Sequence, residues 1–78
     1  MEVVELFKID PSQNVRRFYA ISLCADLFGT DGVMRAWGRI GTPGRVRFDP
    51  YPADAQARIA LEKLRRRKIG RGYQERLP

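Results

Sequence analysis

Apolar and polar residues alternate along four segments in the first two thirds of the chain, and this alternation predicts β-strands. The segments are 3–9, 16–25, 33–41 and 45–49, and turn-forming residues separate them. Asp31-Gly32 favours a hairpin turn ahead of the third segment, and 41–44 provides a second tight turn. The pattern therefore predicts that the second, third and fourth strands pair antiparallel in sequence order.

After the two prolines at 50 and 52, the pattern changes to a helical one over residues 54–69. We expect Asp54 to cap the start of this helix and Gly70 to close its end. A narrow stripe of small and apolar residues would pack on the sheet; it consists of Ala57, Ala60, Leu61 and Leu64. The predicted class is α+β, one domain over 1–78 with a small antiparallel sheet of four or five strands and one C-terminal helix packed on it.

The third segment carries the chain's one tryptophan among arginines. In a strand, Val33, Arg35, Trp37 and Arg39 share one face, and Met34, Ala36, Gly38 and Ile40 share the other. A core tryptophan is expected on the second, apolar face, whereas an indole framed by guanidinium groups suits stacking on a sugar or base beside an anion. Two alternatives stay open: a cation-π pair that covers the sheet, or a bulge at Gly38 that turns Trp37 inward.

The composition argues against an enzyme. The chain has 78 residues, no histidine and a single cysteine, Cys24, so we expect no catalytic centre, no metal, no cofactor and no internal disulfide. No apolar run approaches the roughly 20 residues of a membrane span, and the first residues do not resemble a signal peptide. We expect a cytoplasmic protein, associated with the nucleoid if the source is bacterial.

The positive charge is concentrated at the end of the chain. Acidic and basic residues balance through residue 57, so the net charge of +6 comes from the segment that follows. Arg67, Lys68 and Arg71 gather at the predicted helix C-terminus, where they would attract a polyanion such as nucleic acid. A solvated face that keeps a small domain soluble, or cations that suit the helix dipole, would give the same pattern.

Pairing of the third and fourth strands would bring further arginines to the tryptophan face. Arg45 and Arg47 would then lie beside Arg35 and Arg39, with four guanidinium groups around one indole. Such like charges repel unless an anion lies between them, which favours a bound phosphate. The alternative is that the side chains spread apart in solvent and pair with carboxylates, with Asp26, Asp31 or Asp49 as partners.

The chain resembles the WGR domain over nearly its whole length. The residues that carry the resemblance are Phe18-Tyr19, the run 35–41 with Trp37-Gly38-Arg39, the turn ending in Gly44-Arg45-Val46, and the basic helix before Gly72-Tyr73. The loop 26–29 and the stretch 49–52 are similar to bacterial stand-alone members, and the domain also occurs in poly(ADP-ribose) polymerases. The resemblance implies a twisted antiparallel sheet with one helix, and DNA binding.

In the polymerases the motif tryptophan packs on the sugar-phosphate at a 5′ end and the motif arginine bridges to neighbouring domains, roles that the resemblance would transfer to Trp37 and Arg39. The polymerase zinc fingers, helical regulatory domain and transferase domain have no counterpart in this sequence, so neither ADP-ribosylation nor the interdomain role of Arg39 is implied. We therefore expect a module that binds duplex DNA near 5′ ends or nicks through backbone contacts. The expected contact residues are Arg35, Trp37, Gly38, Arg39, Arg45, Arg47, Arg67, Lys68 and Arg71. The alternative is a protein-interaction module that docks an acidic partner on the same Trp/Arg face.

Overall fold

The computed structural model describes residues 3–76, which form one antiparallel sheet and one helix. The sheet has five strands in the order β4-β3-β2-β1-β5, so the predicted α+β class is confirmed. The elements are β1 (Val3–Asp10), a 3₁₀ turn (Pro11–Gln13), β2 (Val15–Ala25), β3 (Asp31–Arg39), β4 (Arg45–Pro50), α1 (Asp54–Gly70) and β5 (Gln74–Glu75). Within the described part, α1 is too short and too polar to cross a membrane.

The turn between β2 and β3 lies earlier than the sequence predicted. Asp31 and Gly32 belong to β3 and pair with the last residues of β2, so they do not form the turn. The chain reverses over residues 26–30, because Asp26 Oδ1 accepts hydrogen bonds from the backbone N–H groups of Phe28 (2.8 Å) and Thr30 (2.9 Å). The backbone hydrogen bond to Thr30 and the one to Phe28 outweigh desolvation and hold the pKa of the Asp26 carboxyl below its ordinary value.

The turn between β3 and β4 depends on two glycines that meet across it. Gly44 has φ +70°, and a Cβ placed there would lie 2.3 Å from the carbonyl oxygen of Trp37. A Cβ on Gly38 would lie 2.7 Å from Gly44 Cα. The strand pairing runs through Gly38, which lies opposite Phe18, so the bulge considered for Gly38 is wrong. Because Gly38 has no side chain, its backbone can lie close to that of Gly44, as the tight hairpin requires.

The helix packs on the face of the sheet that carries Trp37, which corrects the expected location of the core. Val33 is fully buried there, while Met34 and Ala36 lie half-buried on the opposite face. The predicted helix stripe is confirmed, since Ala57 and Leu61 are buried and the other two members pack against them. The core consists of Val4, Leu6, Tyr19, Ile21, Val33, Ala57, Leu61 and Tyr73.

Both ends of α1 differ from the prediction. Ala53 is the N-cap residue and makes no side-chain capping bond, while Asp54 is the first helical residue, and its Oδ2 accepts from Arg58 Nε at 2.6 Å. The helix runs through Gly70, and the left-handed residue that reverses the chain is Gly72, with φ +96°. This reversal returns Tyr73 to the core.

The other face of the sheet is left uncovered by α1. Its strands carry apolar side chains, among which Phe7 lies opposite Phe18 and Met34 lies opposite Phe48, all four half-buried. We call the two surfaces of the sheet the covered face and the open face. All the predicted contact arginines of β3 and β4 lie on the covered face, because directly paired residues of antiparallel strands share a face.

Candidate functional site

Trp37 lies half-buried beside the core, with planar groups on two sides. Its ring stacks on that of Tyr19, with centroids 6.0 Å apart and an interplanar angle of 23°. The guanidinium carbon of Arg35 lies 5.7 Å from the indole centroid. The cation-π pair considered from the sequence is therefore present, and Trp37 packs against the core as well. The indole is consequently held in one orientation by its neighbours.

A cleft of about 450 Å³ opens beside Trp37, and we call it the Trp37 cleft. Strands β2 and β3, the end of the 3₁₀ turn, the C-terminal end of α1 and the turn before β5 meet there. Its lining residues are Asn14, Arg17, Tyr19, Trp37, Gly38, Arg39, Lys68 and Tyr73. The lining therefore includes three aromatic rings and three cations but no carboxylate. This composition suits a ligand with a flat apolar part and negative charge.

Arg39 forms the rim of the Trp37 cleft. Its guanidinium donates two hydrogen bonds to Asn14, one to the backbone oxygen (3.2 Å) and one to the side-chain Oδ1 (3.0 Å). Asn14 has a left-handed backbone conformation, with φ 54°, that ends the 3₁₀ turn. The arginine of the Trp-Gly-Arg motif thus orders the loop before β2 and keeps its charge at the mouth of the cleft.

Lys68 brings the helix charge into the Trp37 cleft. Its Nζ lies 4.4 Å from the ring centroid of Tyr19 and 5.5 Å from that of Tyr73. Burial lowers the pKa of Lys68, and the positive charges of four arginines lower it further; these are Arg71, Arg35, Arg67 and Arg17. A cation surrounded by cations is stabilised by an added anion, so this position favours phosphate binding.

A second cleft of about 450 Å³ lies between β4 and α1, and we call it the β4 cleft. Its lining residues are Arg35, Arg47, Asp49, Pro50, Tyr51, Ala60, Lys63, Leu64 and Arg67. Asp49 pairs with two arginines, since its Oδ2 lies 2.9 Å from Arg35 Nε and its Oδ1 lies 2.8 Å from Arg47 Nε. Of the carboxylate partners considered from the sequence, Asp49 is the one that these arginines contact.

The Arg35 guanidinium keeps its charge in this setting. Burial lowers the pKa of Arg35, but a hydrogen bond to the Tyr19 hydroxyl (3.3 Å) and the nearby Asp49 carboxylate raise it above its ordinary value overall. Arg35 therefore connects the two clefts: its guanidinium makes the cation-π contact with Trp37, and the side chain lines the β4 cleft with Asp49.

The predicted contact residues divide between the two clefts instead of forming one ring around the indole. Trp37, Gly38, Arg39 and Lys68 line the Trp37 cleft, and Arg35, Arg47 and Arg67 line the β4 cleft. Arg45 lies opposite Trp37 in the pairing of β3 with β4 and is exposed, as is Arg71. Of the four predicted arginines, Arg35 makes a cation-π contact with Trp37, while Arg39 hydrogen-bonds to Asn14 and Arg47 forms an ion pair with Asp49.

Four residues of the Trp37 cleft were missed by the sequence reasoning, namely Asn14, Arg17, Tyr19 and Tyr73. The sequence was sufficient to identify Arg17, because alternation along β2 places this residue on the same face as Tyr19. The pairing of Arg17 with Arg39 then brings it to the tryptophan motif. Asn14 and Tyr73 carried no comparable signal, since both reach the cleft through turns.

Comparison with known proteins gives one family and one relative. The family model for the WGR domain matches residues 3–78. A protein of Sinorhizobium fredii with the name Uncharacterized protein y4dW is 40% identical over 69 residues, covering 88% of this chain and 34% of that protein. The chain thus spans about a third of the length of this relative. No solved structure matches the chain.

Proposed function

Because this chain belongs to the WGR domain family, a nucleic-acid-binding type of module, we propose that it binds duplex DNA near 5′ ends or nicks through the Trp37 cleft. One observation carries the proposal: the cleft combines cations, without a carboxylate, with an indole held against Tyr19. The cations bind phosphate without competition from a carboxylate, and the fixed indole provides a flat surface for a terminal sugar or base. The contacts would be made to the DNA backbone, so the sequence of the DNA would matter little.

Each residue of the cleft has a distinct role in this proposal. The exposed part of Trp37 packs on the terminal sugar, since its orientation is fixed by its stacking on Tyr19. Lys68 and Arg17 bind the adjacent phosphates, because both line the cleft and neither has an ion-pair partner among residues 3–76. Arg45 and Arg71, which are exposed beside the clefts, add long-range attraction.

The same cleft chemistry fits an acidic protein segment, which is the second candidate. Tryptophan and arginine are the residue types that most often dominate protein interfaces. A segment rich in glutamate would satisfy the cations of the Trp37 cleft but would offer no sugar or base to the indole. The experiment therefore measures the affinity for an acidic peptide as well as the affinity for DNA.

The first test uses neighbouring arginines on opposite faces of β2. Arg17 lies on the covered face and lines the Trp37 cleft, whereas Arg16 pairs with Ile9 on the open face. Arg17→Gln is expected to weaken binding to a nicked duplex by about 1.5–3 kcal/mol, the range for a hydrogen bond to a charged group. It should also reduce the slope of log affinity against log salt by about one unit. Arg16→Gln removes the same charge and serves as the control.

The measurement is fluorescence anisotropy with nicked, blunt-ended, closed circular and single-stranded DNA, together with an acidic peptide. Equal weakening by both variants would show that the Trp37 cleft is not the site. Equal affinity for nicked and closed circular DNA would contradict recognition of ends. If the peptide binds and no DNA does, the protein-interaction function replaces the proposed one.

A further inference from the structure

The β4 cleft is separate from the Trp37 cleft, and no residue lines both. Its helical wall consists of Ala60, Lys63, Leu64 and Arg67, whose spacing of three, four and seven residues places them on one side of α1. The opposite wall comes from β3 and β4. The two clefts therefore open at different places on the covered face, one along the helix and one at its C-terminal end.

The charges of the β4 cleft leave it strongly cationic. Four cations line it against the single carboxylate of Asp49, namely Arg35, Arg47, Lys63 and Arg67. Asp49 is contacted by Arg35 and Arg47 through their Nε atoms, so the terminal nitrogens of Arg47 stay available to a ligand. Within residues 3–76, Lys63 and Arg67 take part in no ion pair.

A buried donor in the same cleft has no well-aligned acceptor. Arg35 Nε is shielded from solvent and lies 2.9 Å from Asp49, but the geometry does not form a hydrogen bond. Buried donors normally form well-aligned hydrogen bonds, and the interaction weakens as the alignment becomes poor. An anion that enters the cleft would supply acceptor oxygens to Arg35 and would reduce the repulsion among the four cations.

The distance between the two clefts fits a duplex. Arg17 of the Trp37 cleft lies on β2, and Arg47 of the β4 cleft lies on β4, with one strand between them. Arg17 pairs with Arg39 and Arg47 pairs with Arg35, and these two partners lie four residues apart on β3. Two strand spacings of about 10 Å in total and four residues of about 13 Å in total place the two Cα atoms of Arg17 and Arg47 roughly 16 Å apart. The grooves of B-DNA are about 6 and 12 Å wide, with a phosphate backbone on each side. Long cationic side chains of the covered face can therefore reach both backbones across one groove.

We propose that the β4 cleft is a second phosphate-binding site, which takes a phosphodiester of the complementary strand while the Trp37 cleft holds the strand with the 5′ end. This inference rests on the proposed function. Lys63, Arg67 and the terminal nitrogens of Arg47 bind the phosphate. Asp49 acts as a positioning residue that holds the two arginines in the sheet wall. The second site gives the module a preference for duplex over single-stranded DNA.

The test compares two double variants that remove equal charge from α1. Lys63→Gln with Arg67→Gln alters the β4 cleft, whereas Arg58→Gln with Arg66→Gln alters exposed cations that pair with Asp54 and Glu62. Affinities are measured by anisotropy for a 5′-phosphorylated duplex and for its single strand over a range of salt concentrations. We expect the first variant to lose about tenfold more duplex affinity than the control and about two units of salt slope. Single-strand affinity should change equally in both.

The outcomes separate the two proposals. If the two double variants lose duplex affinity equally, the β4 cleft contributes only general attraction and the inference is wrong. If the first variant also loses single-strand affinity beyond the control, the cleft does not serve the complementary strand, and the inference is again wrong. If the unmodified protein binds neither DNA form, the proposed function fails, and the inference fails with it. Circular dichroism of every variant verifies the fold.

Discussion

The covered and open faces of the sheet differ in what surrounds their apolar residues. On the covered face, fully buried Ile21 and Val33 lie on the same strands as Arg17 and Arg35. On the open face, the apolar side chains range from half-buried to exposed, with Val3, Ile9 and Val46 among the exposed ones, and few charged residues accompany them. The face with the better core is thus also the face with the candidate binding clefts.

The size of α1 explains this coincidence. The helix has 17 residues and contacts β1, β2 and β3, so β4 and the end of the sheet beside Trp37 stay accessible. Arginine suits the boundary of the helix footprint, because its apolar stem packs on the core while its charged group reaches solvent. The open face lacks such a boundary because no helix lies on it. The comparison teaches that a partly covered face provides both stability and clefts.

The largest expected effect tests the difference in stability between the faces. Ile21→Ala should lower the free energy of unfolding by about 2–5 kcal/mol, because the side chain is fully buried under α1 and its loss leaves a cavity. Val46→Ala on the open face, where the side chain is 64% exposed, should cost less than about 1 kcal/mol. Urea unfolding monitored by tryptophan fluorescence measures both. Equal losses would show that the open face is covered in solution.

A smaller effect is expected at the hairpin that joins β3 to β4. Gly41 and Gly44 both have positive φ, but a Cβ on Gly41 meets nothing within 4 Å, whereas one on Gly44 meets the Trp37 backbone. Gly41→Ala should cost about 1 kcal/mol through backbone strain alone. Gly44→Ala should cost measurably more and should displace the indole, seen as a shift in Trp37 emission. Similar stabilities for the two variants would contradict the close approach of Gly38 and Gly44.

The smallest effect concerns Lys68 and pH. Burial and the neighbouring arginines lower its pKa, so the unfolded chain retains this proton up to a higher pH than the folded one. Between the lowered pKa and 10.5, stability should therefore rise with pH while DNA affinity falls, because the neutral amine no longer attracts phosphate. Lys68→Arg should show neither trend. Thermal melts measure the stability and fluorescence anisotropy measures the DNA affinity of the unmodified protein and of Lys68→Arg over a range of pH. If the two proteins show parallel pH curves, the assignment to Lys68 is wrong.

The sequence predicted the elements well where a single periodicity dominated. The strand pattern and the helix stripe of Ala57 and Leu61 were confirmed, as was the pairing of β2, β3 and β4. The turn at 26–30 was misplaced, because Asp31-Gly32 has the composition of a turn while the Asp26 side chain determines where the chain reverses. Side-chain capping of this kind has no periodicity, and so a pattern of residues does not reveal it.

The amino-acid sequence by itself determined the strands and the helix apart from their ends, the family and the residues that carry positive charge, since these follow from local periodicity, motif and composition. Only the tertiary structure decided which face α1 covers, and that choice placed Trp37 against the core and divided the cations between two clefts. The alternation of side chains along a strand predicts which residues share a face of the sheet, but it does not predict which face is buried. The helix covers the face on which Val33 and Ile21 are fully buried, and the arginines of that face lie around the edge of the helix.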